Sequence, residues 1–377
     1  MPYNPLPKPL LLLTILLLLP ATAFSQANDF VVHEWGTFTS IAAKNGQMQG
    51  WRPLNGSSDL PSFVYKIPVS QNRQCKICTW AKVRMETPVL YFYTDHEVAV
   101  NVKVDFPQGK ITEWFPKANV GNTSIAWSNI VINPKSEICY QQEAKESHYY
   151  PARETDAAPI AIQNGQQTEY EKFLFYRGTG NFDLPLSVQL SNNQVKIKSA
   201  APDPPGTVFL FENKAGKIGF QSINLTRRET IIERPALTQA VTVVLTKLEQ
   251  ALIAQGLYPK EAQAMLKTWR DSWFEEGLRV FYFTPPADTD QILPLTITPK
   301  PTKTVRVLVG RIEILTPEFE QKIQALAARL SDDPQAENKL RRLGRFAEPV
   351  ILEILPQTKD AQLKAKLNGL LQVLSQE

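Results

Sequence analysis

Short apolar segments rich in β-branched and aromatic residues dominate the chain from Phe30 to about Leu225, and this pattern constrains the fold most. Pro, Gly, Asn and Asp separate the segments, as expected for strands joined by turns. Within Val89–Val104, V-L-Y-F-Y-T predicts one strand, D-H-E a turn and V-A-V-N-V-K-V a second strand, hence a hairpin that Ile111–Phe115 would extend to a meander. Since no alternation of strands and helices occurs here, the pattern favours an antiparallel, β-sandwich-like domain or an open barrel.

Helical spacing replaces the strand pattern over about residues 235–277. Apolar residues recur every three or four positions, and Gly256 separates two predicted helices. Trp269 and Trp273 share a face of the second helix; a core position is the plainer interpretation, and a ligand-stacking platform is the alternative. Because strand-like sequence returns afterwards, we interpret the helical pair as an insertion in a β-rich main domain spanning 26–315.

The chain from Thr316-Pro317 onward has the pattern of three or four short amphipathic helices. Their breaks at Pro and Gly resemble a small piece of a HEAT-like helical-hairpin array. The sequence therefore predicts a small all-α domain at 316–377 and an α+β fold class for the whole chain. Such helices pack on a neighbouring domain or bind a protein, so a protein partner is expected there.

The first 25 residues have the organisation of a secretory signal peptide. Lys8 precedes the apolar run Leu10–Leu19, and the small residues of Ala21-Thr22-Ala23 follow. The run is shorter than the roughly 20 residues of a membrane-spanning helix, so a permanent anchor is the lesser alternative. We expect a periplasmic or secreted protein with no membrane span after cleavage of the leader.

The three cysteines are interpreted through that compartment. Cys75 and Cys78 form a C-x-x-C motif, and Cys139 stands alone. In an oxidising compartment the default is a disulfide, either Cys75–Cys78 or one from either of them to Cys139. A redox site and a metal site are the alternatives, but a zinc site would need a fourth ligand. We therefore predict a disulfide and no metal.

A histidine, a carboxylate and an indole stand together at His33, Glu34 and Trp35, near the start of the predicted mature protein. In an extended strand His33 and Trp35 point to one face and Glu34 to the other. One interpretation is a first strand with a buried indole and a hydrogen-bonded histidine. The other makes His33 a general base, since its ordinary pKa lies near neutrality, with Trp35 as a ligand contact.

Two further carboxylates, Glu86 and Glu113, flank predicted strands, and glycoside hydrolysis needs such a pair. Arg177, before Gly178-Thr179-Gly180, could bind an anionic group beside a glycine turn, although that turn is equally typical of a hairpin. Both assignments require residues that are distant in sequence to meet in space.

The polar stretch Gln141–Thr168 is predicted to be a long surface loop, a common place for binding residues on a β scaffold. His148 and Tyr149 within it are candidate ligand contacts, and the alternative is a loop anchored by its tyrosines. His96, in the predicted turn, is explained by solvation alone.

Several segments resemble a family of uncharacterised secreted bacterial proteins. The resemblance rests on these strings: V-H-E-W-G-T-F-T-S at 32–40, M-E-T-P-V-L-Y-F-Y at 85–93, F-P-Q-G at 106–109 with T-E-W at 112–114, F-L-F-Y-R-G at 173–178 and W-R-D-S-W-F-E-E-G-L-R at 269–279. It covers most of the mature chain and implies an exported bacterial protein. It implies no activity, fold, cofactor or catalytic residue.

Two functions follow from these patterns. The first is a non-catalytic module that binds a small molecule or an envelope polymer. The second is a hydrolase acting on an envelope polymer such as a glycan, with His33, Glu34, Glu86 and Glu113 near one cleft. The sequence holds no nucleophile elbow, phosphate loop or dinucleotide fingerprint, and no cofactor is expected. Lys and Arg number 41 against 37 Asp and Glu, an excess too small to indicate a nucleic-acid partner.

Overall fold

The computed structural model describes residue 1 and residues 30–43, 45–50, 60–67, 81–201, 204 and 206–374. Its strands are β1 (Val31–Ala42), β2 (Tyr65–Lys66), β3 (Val83–Tyr93), β4 (Val98–Asp105), β5 (Gly109–Phe115), β6 (Asn119–Val120), β7 (Ser124–Ile132), β8 (Ile160–Asn164), β9 (Gln167–Glu171), β10 (Leu174–Gly180), β11 (Leu186–Ser191), β12 (Gln194–Ser199), β13 (Thr207–Lys214), β14 (Lys217–Asn224), β15 (Glu229–Glu233), β16 (Gly277–Phe283), β17 (Leu295–Thr298) and β18 (Lys303–Ile314). Its α-helices are α1 (Val241–Ala254), α2 (Pro259–Trp273), α3 (Pro286–Ile292), α4 (Pro317–Ala328), α5 (Pro334–Leu343), α6 (Ala347–Ile354) and α7 (Ala361–Leu374). Short 3₁₀ turns occupy Tyr150–Arg153, Gly344–Phe346 and Leu355–Gln357. The chain is β-rich, as the sequence predicts.

Strand β1 lies at the centre of a nine-stranded sheet with the order β14-β13-β16-β18-β1-β3-β10-β5-β2. It pairs with β18 in parallel and with β3 in antiparallel orientation. All but the first of its twelve residues are buried. Such two-sided burial is typical of an internal strand with a covered layer on each face.

A six-stranded sheet containing β17, β4, β7, β8 and β9, with β6 beside β7, packs on one face of the large sheet. The opposite face packs against α1 and α2, where Trp269 and Trp273 are buried in the core with Trp35. A three-stranded sheet of β11, β12 and β15 covers the β13–β16 end of the first face. Helices α4 to α7 enclose a separate core, to which Ile41 of β1 and Leu315, the residue after β18, also contribute.

The predicted hairpin between β3 and β4 is wrong. The turn lies where it was expected, but β3 pairs with β1 and β10, whereas β4 pairs with β7 and β17 in the other sheet. The predicted extension to a meander is also wrong, because β5 pairs with β10 and β2. The burial patterns explain the difference: β3 is buried on both faces, while β4 alternates between buried and exposed residues and so borders solvent on one side.

None of the helices formed by the described residues is long and apolar enough to cross a membrane.

Candidate functional site

His33 and Glu34 point to opposite faces of the large sheet, as the alternation of side chains along a strand requires. On the helix-covered face, His33 is fully buried, and its Nδ1 lies 2.7 Å from Oε2 of Glu261 on α2. The ring of Tyr258 covers the imidazole, with ring centroids 4.5 Å apart. The backbone N–H of Tyr258 donates to the same carboxylate oxygen at 2.7 Å, so Glu261 also caps the start of α2. This pair joins the central strand to the helix.

On the other face, Glu34 is buried between two donors. The hydroxyl of Tyr176 donates to one carboxylate oxygen, and Nε of Arg306 donates to the other at 2.6 Å. Burial, and then the charge of Glu34, raises the pKa of Tyr176 well above its ordinary value. Burial alone would lower the pKa of Arg306, but the carboxylate of Glu34 beside it outweighs that effect and raises this pKa. Glu34 is therefore the counter-charge of a buried guanidinium.

Trp35 does not lie on a ligand-accessible surface. Its side chain is fully buried, and its ring centroid lies 6.1 Å from that of Tyr91 in the core beneath α1 and α2.

Glu86, Glu113 and Arg177 come together on the neighbouring strands β3, β5 and β10, but below the protein surface. Glu113 lies directly across from Arg177 in the sheet, and Nη2 of Arg177 donates to Oγ1 of Thr87 at 3.3 Å. Thr39 of β1 donates to Glu86 at 2.6 Å. These residues form a buried polar band, separate from both His33 and Glu34.

The band continues across β18 and β16 through three fully buried residues that sequence reasoning missed, Arg279, Arg311 and Glu313. Nε of Arg279 donates to Glu313 at 3.0 Å, and Nη1 donates to the carbonyl of Glu275 at 2.9 Å. Nη2 of Arg311 donates to the carbonyl of Ser272 at 2.7 Å. The two arginines thus bind the free carbonyls at the end of α2, as cations do at helix C-termini. The sequence signal that could have identified them is the presence of charged residues within the otherwise apolar strands β16 and β18.

The predicted surface loop Gln141–Thr168 is wrong from Ile160 onward, where β8 and β9 form strands, and its earlier part is docked on the protein through several contacts. Tyr149 is buried, and its hydroxyl donates to Glu171 at 2.9 Å; burial, and then the charge of Glu171, raises its pKa. Arg153 forms a bidentate pair with the same carboxylate. Nδ1 of His148 lies 2.7 Å from the carbonyl of Thr268, so its N–H donates there. His148 lines an open cavity of about 740 Å³, whereas Tyr149 is an anchor.

The cavity that Arg306 lines lies at the amino-terminal end of β18, the strand that pairs in parallel with β1. It has a volume of about 600 Å³, within the usual range for small-molecule sites. Its polar lining includes Arg306, Asp290, Lys300 and Thr284. Its apolar lining consists of Phe283, Pro286, Leu295, Ile297, Pro301, Val305 and Val307.

Two buried polar atoms of these lining residues stand out. Oγ1 of Thr284 and Nη2 of Arg306 make no hydrogen bond to any residue that the structure describes. Buried donors without a partner are costly, and a bound ligand is one way to satisfy them. We designate this cavity the β1–β18 cavity.

Cys75 and Cys78 lie outside the described residues. Cys139 is exposed as a free thiol. Among the residues that the structure describes, no group of three or more His, Cys, Asp and Glu side chains could hold a metal ion.

No protein-family model matches the sequence, and no curated protein matches it. Solved structures with a weak likeness to this chain include the yeast delta-COP-I mu-homology domain, with 8% identity and a TM-score of 0.29 over 76% of this chain and 98% of that chain. The same yeast domain complexed with a WxWxV peptide has 9% identity and a TM-score of 0.28 over 76% of this chain and 96% of that chain. TM-scores this low carry no argument about fold or function.

Proposed function

We propose that this chain is an exported, non-catalytic binding module that takes a small molecule in the β1–β18 cavity. The observation that carries the proposal is the contrast between that cavity and the candidate catalytic groups. The cavity is open and lined by apolar and polar residues, whereas His33, Glu34, Glu86 and Glu113 are buried and engaged with the protein itself.

The geometry gives little support to the hydrolase alternative. Glycosidases place two carboxyl groups on either side of an accessible bond. Here Glu34 neutralises Arg306, Glu86 accepts a hydrogen bond from Thr39, and these two carboxylates belong to opposite faces of one sheet. An envelope polymer therefore remains a candidate as ligand rather than as substrate.

The remaining parts of the proposal concern location and partners. We propose a β-sandwich-like main domain and a HEAT-like set of terminal helices that binds a protein partner, in a protein that is periplasmic or secreted after removal of residues 1–25. Fractionation of cells expressing the full chain tests export: the mature protein should appear outside the cytoplasm, shortened by about the length of the leader. Retention of the full-length chain in the cytoplasm would contradict it.

Ligand binding is tested by a thermal-shift screen of the mature protein against neutral, anionic and cationic small molecules. Thr296→Trp places an indole at a residue that lines the cavity, and Thr298→Trp makes the same change two residues along β17, at a position outside the lining. Stabilisation that is lost in Thr296→Trp and kept in Thr298→Trp supports the proposal. The proposal would be refuted if every ligand found stabilised the unsubstituted protein and both variants equally, or if no compound stabilised the protein.

A further inference from the structure

Arg306 has two carboxylate partners of very different character. The carboxylate of Glu34 accepts a hydrogen bond from Nε and is completely buried. The carboxylate of Asp290 accepts one from Nη1 at 2.7 Å, and its side chain is 67% exposed. The side chain of Arg306 is itself only 8% exposed. Glu34 is therefore part of the buried structure, whereas Asp290 is exposed enough for solvent to replace it as a partner of Arg306.

Asp290 lies on the short helix α3, at the wall of the β1–β18 cavity. An exposed ion pair contributes little net stability, so exchanging Asp290 for another carboxylate costs the protein little. Asp290 thus holds a carboxylate at the position that the acid group of a ligand would take. A planar guanidinium binds such a group by donating two parallel hydrogen bonds to it. Nη2 of Arg306 has no hydrogen-bond partner among the described residues.

The charges around the cavity indicate how many negative charges a ligand should carry. Arg306 and Lys300 are positive, and Glu34 and Asp290 are negative, so these four charges cancel in the protein alone. Once Asp290 turns away, the cavity and its inner carboxylate carry one net positive charge. A ligand with a single negative charge restores the balance.

The apolar lining specifies the rest of the ligand. Leu295 and Ile297 line the cavity and pack on the sheet face to which Arg306 points, so a hydrocarbon or aryl body would bury its surface against them. Resting on the proposed function, we propose that the β1–β18 cavity binds an amphiphilic monocarboxylate, which displaces Asp290 from Arg306 and places its apolar body against these side chains. The acid could be a free acid or the carboxyl terminus of an apolar peptide, and the test distinguishes them.

Calorimetric titration at pH 7 compares decanoate with decan-1-ol, and N-acetyl-leucyl-leucine with its C-terminal amide. Each acid should bind about tenfold or more tightly than its neutral counterpart, because a charge-assisted hydrogen bond is roughly twice as strong as a neutral one and the carboxylate can form two of them. Tighter binding of decanoate than of the dipeptide acid assigns a free acid, and the reverse assigns a peptide terminus. Equal binding of acids and neutral counterparts would overturn the inference.

Three variants test the exchange at Arg306. Asp290→Asn removes the competing charge from an exposed position and should strengthen decanoate binding by about three- to tenfold. Lys300→Gln should weaken it by about threefold or more, and Lys303→Gln, an exposed lysine outside the cavity lining, should leave it unchanged. Unchanged or weaker binding by Asp290→Asn would overturn the exchange.

The two proposals fail in different ways. If the compounds blocked by Thr296→Trp in the screen are neutral or cationic, the binding function stands and the carboxylate inference falls. If no compound is blocked by Thr296→Trp, both fall.

Discussion

Replacing Glu34 with alanine should destabilise the protein by about 3–5 kcal/mol, because removing one partner of a buried pair leaves a desolvated charge. Glu34 is fully buried and accepts hydrogen bonds from Arg306, at 2.6 Å, and from the hydroxyl of Tyr176. Asp290 remains as a second partner of Arg306, but its exposure limits that pair to about 0–1 kcal/mol. Glu34→Gln keeps an acceptor for one of the two donors and the shape of the side chain, so it should cost less, about 1–3 kcal/mol.

Urea unfolding followed by circular dichroism measures both losses. The double variant Glu34→Met with Arg306→Met removes both charges together and should recover part of the stability lost by Glu34→Ala, because apolar residues replace a buried pair at little cost while the hydroxyl of Tyr176 still lacks its acceptor. A loss below about 0.5 kcal/mol in Glu34→Ala, typical of a surface substitution, would refute the assignment of Glu34 as a structural counter-charge. So would a double variant less stable than Glu34→Ala.

Three further predictions concern other parts of the molecule. Glu261→Ala should lower the free energy of unfolding in urea by about 3 kcal/mol or more, because it removes both the partner of His33 and the cap of α2. Glu261→Gln should cost less, and equal losses in the two variants would contradict this. Burial, and then the hydrogen bond to Glu169, raises the pKa of Tyr65 to about 12, so the stability that this phenol contributes is complete below pH 10 and is lost as the pH rises through 12. Tyr65→Phe should therefore flatten the loss of stability between pH 10 and 12, and an unchanged slope would contradict the shift. Cys139 should react with a thiol reagent in the native protein, and it should be the single reactive thiol when Cys75 and Cys78 form a disulfide. Reaction of three equivalents of reagent with the unfolded protein, in the absence of reductant, would rule that disulfide out.

Local periodicity predicted the central strand well. The alternation of V-H-E-W-G-T-F-T-S placed His33 and Glu34 on opposite faces, and that separation appears in the structure. Periodicity could not identify the neighbours of β1, since its parallel partner β18 lies about 270 residues later in the chain. Sequence proximity misled in the opposite way at β3 and β4, which a short turn joins although they belong to different sheets.

The candidate site shows the same limit. Glu86, Glu113 and Arg177 are charged residues beside predicted strands, and the sheet does bring them together. Their burial depends on layers that cover the sheet from distant parts of the chain, which one-dimensional patterns do not describe. The same limit applies to Arg306 and its cavity. The lining comes from Gln255 after α1 and from β16, α3, β17 and β18, and the partners of the guanidinium, Glu34 and Asp290, lie on other elements of the fold.

Methyl chemical-shift mapping by NMR tests the central claim, that the β1–β18 cavity is the binding site, most directly. The sample is the mature protein, titrated with each compound that stabilises it in the screen. We predict that the largest shifts fall on the methyl groups of Leu295, Ile297, Val305 and Val307, which line the cavity. Shifts confined to the loop around His148 or to helices α4 to α7, with these four residues unchanged, would contradict the claim.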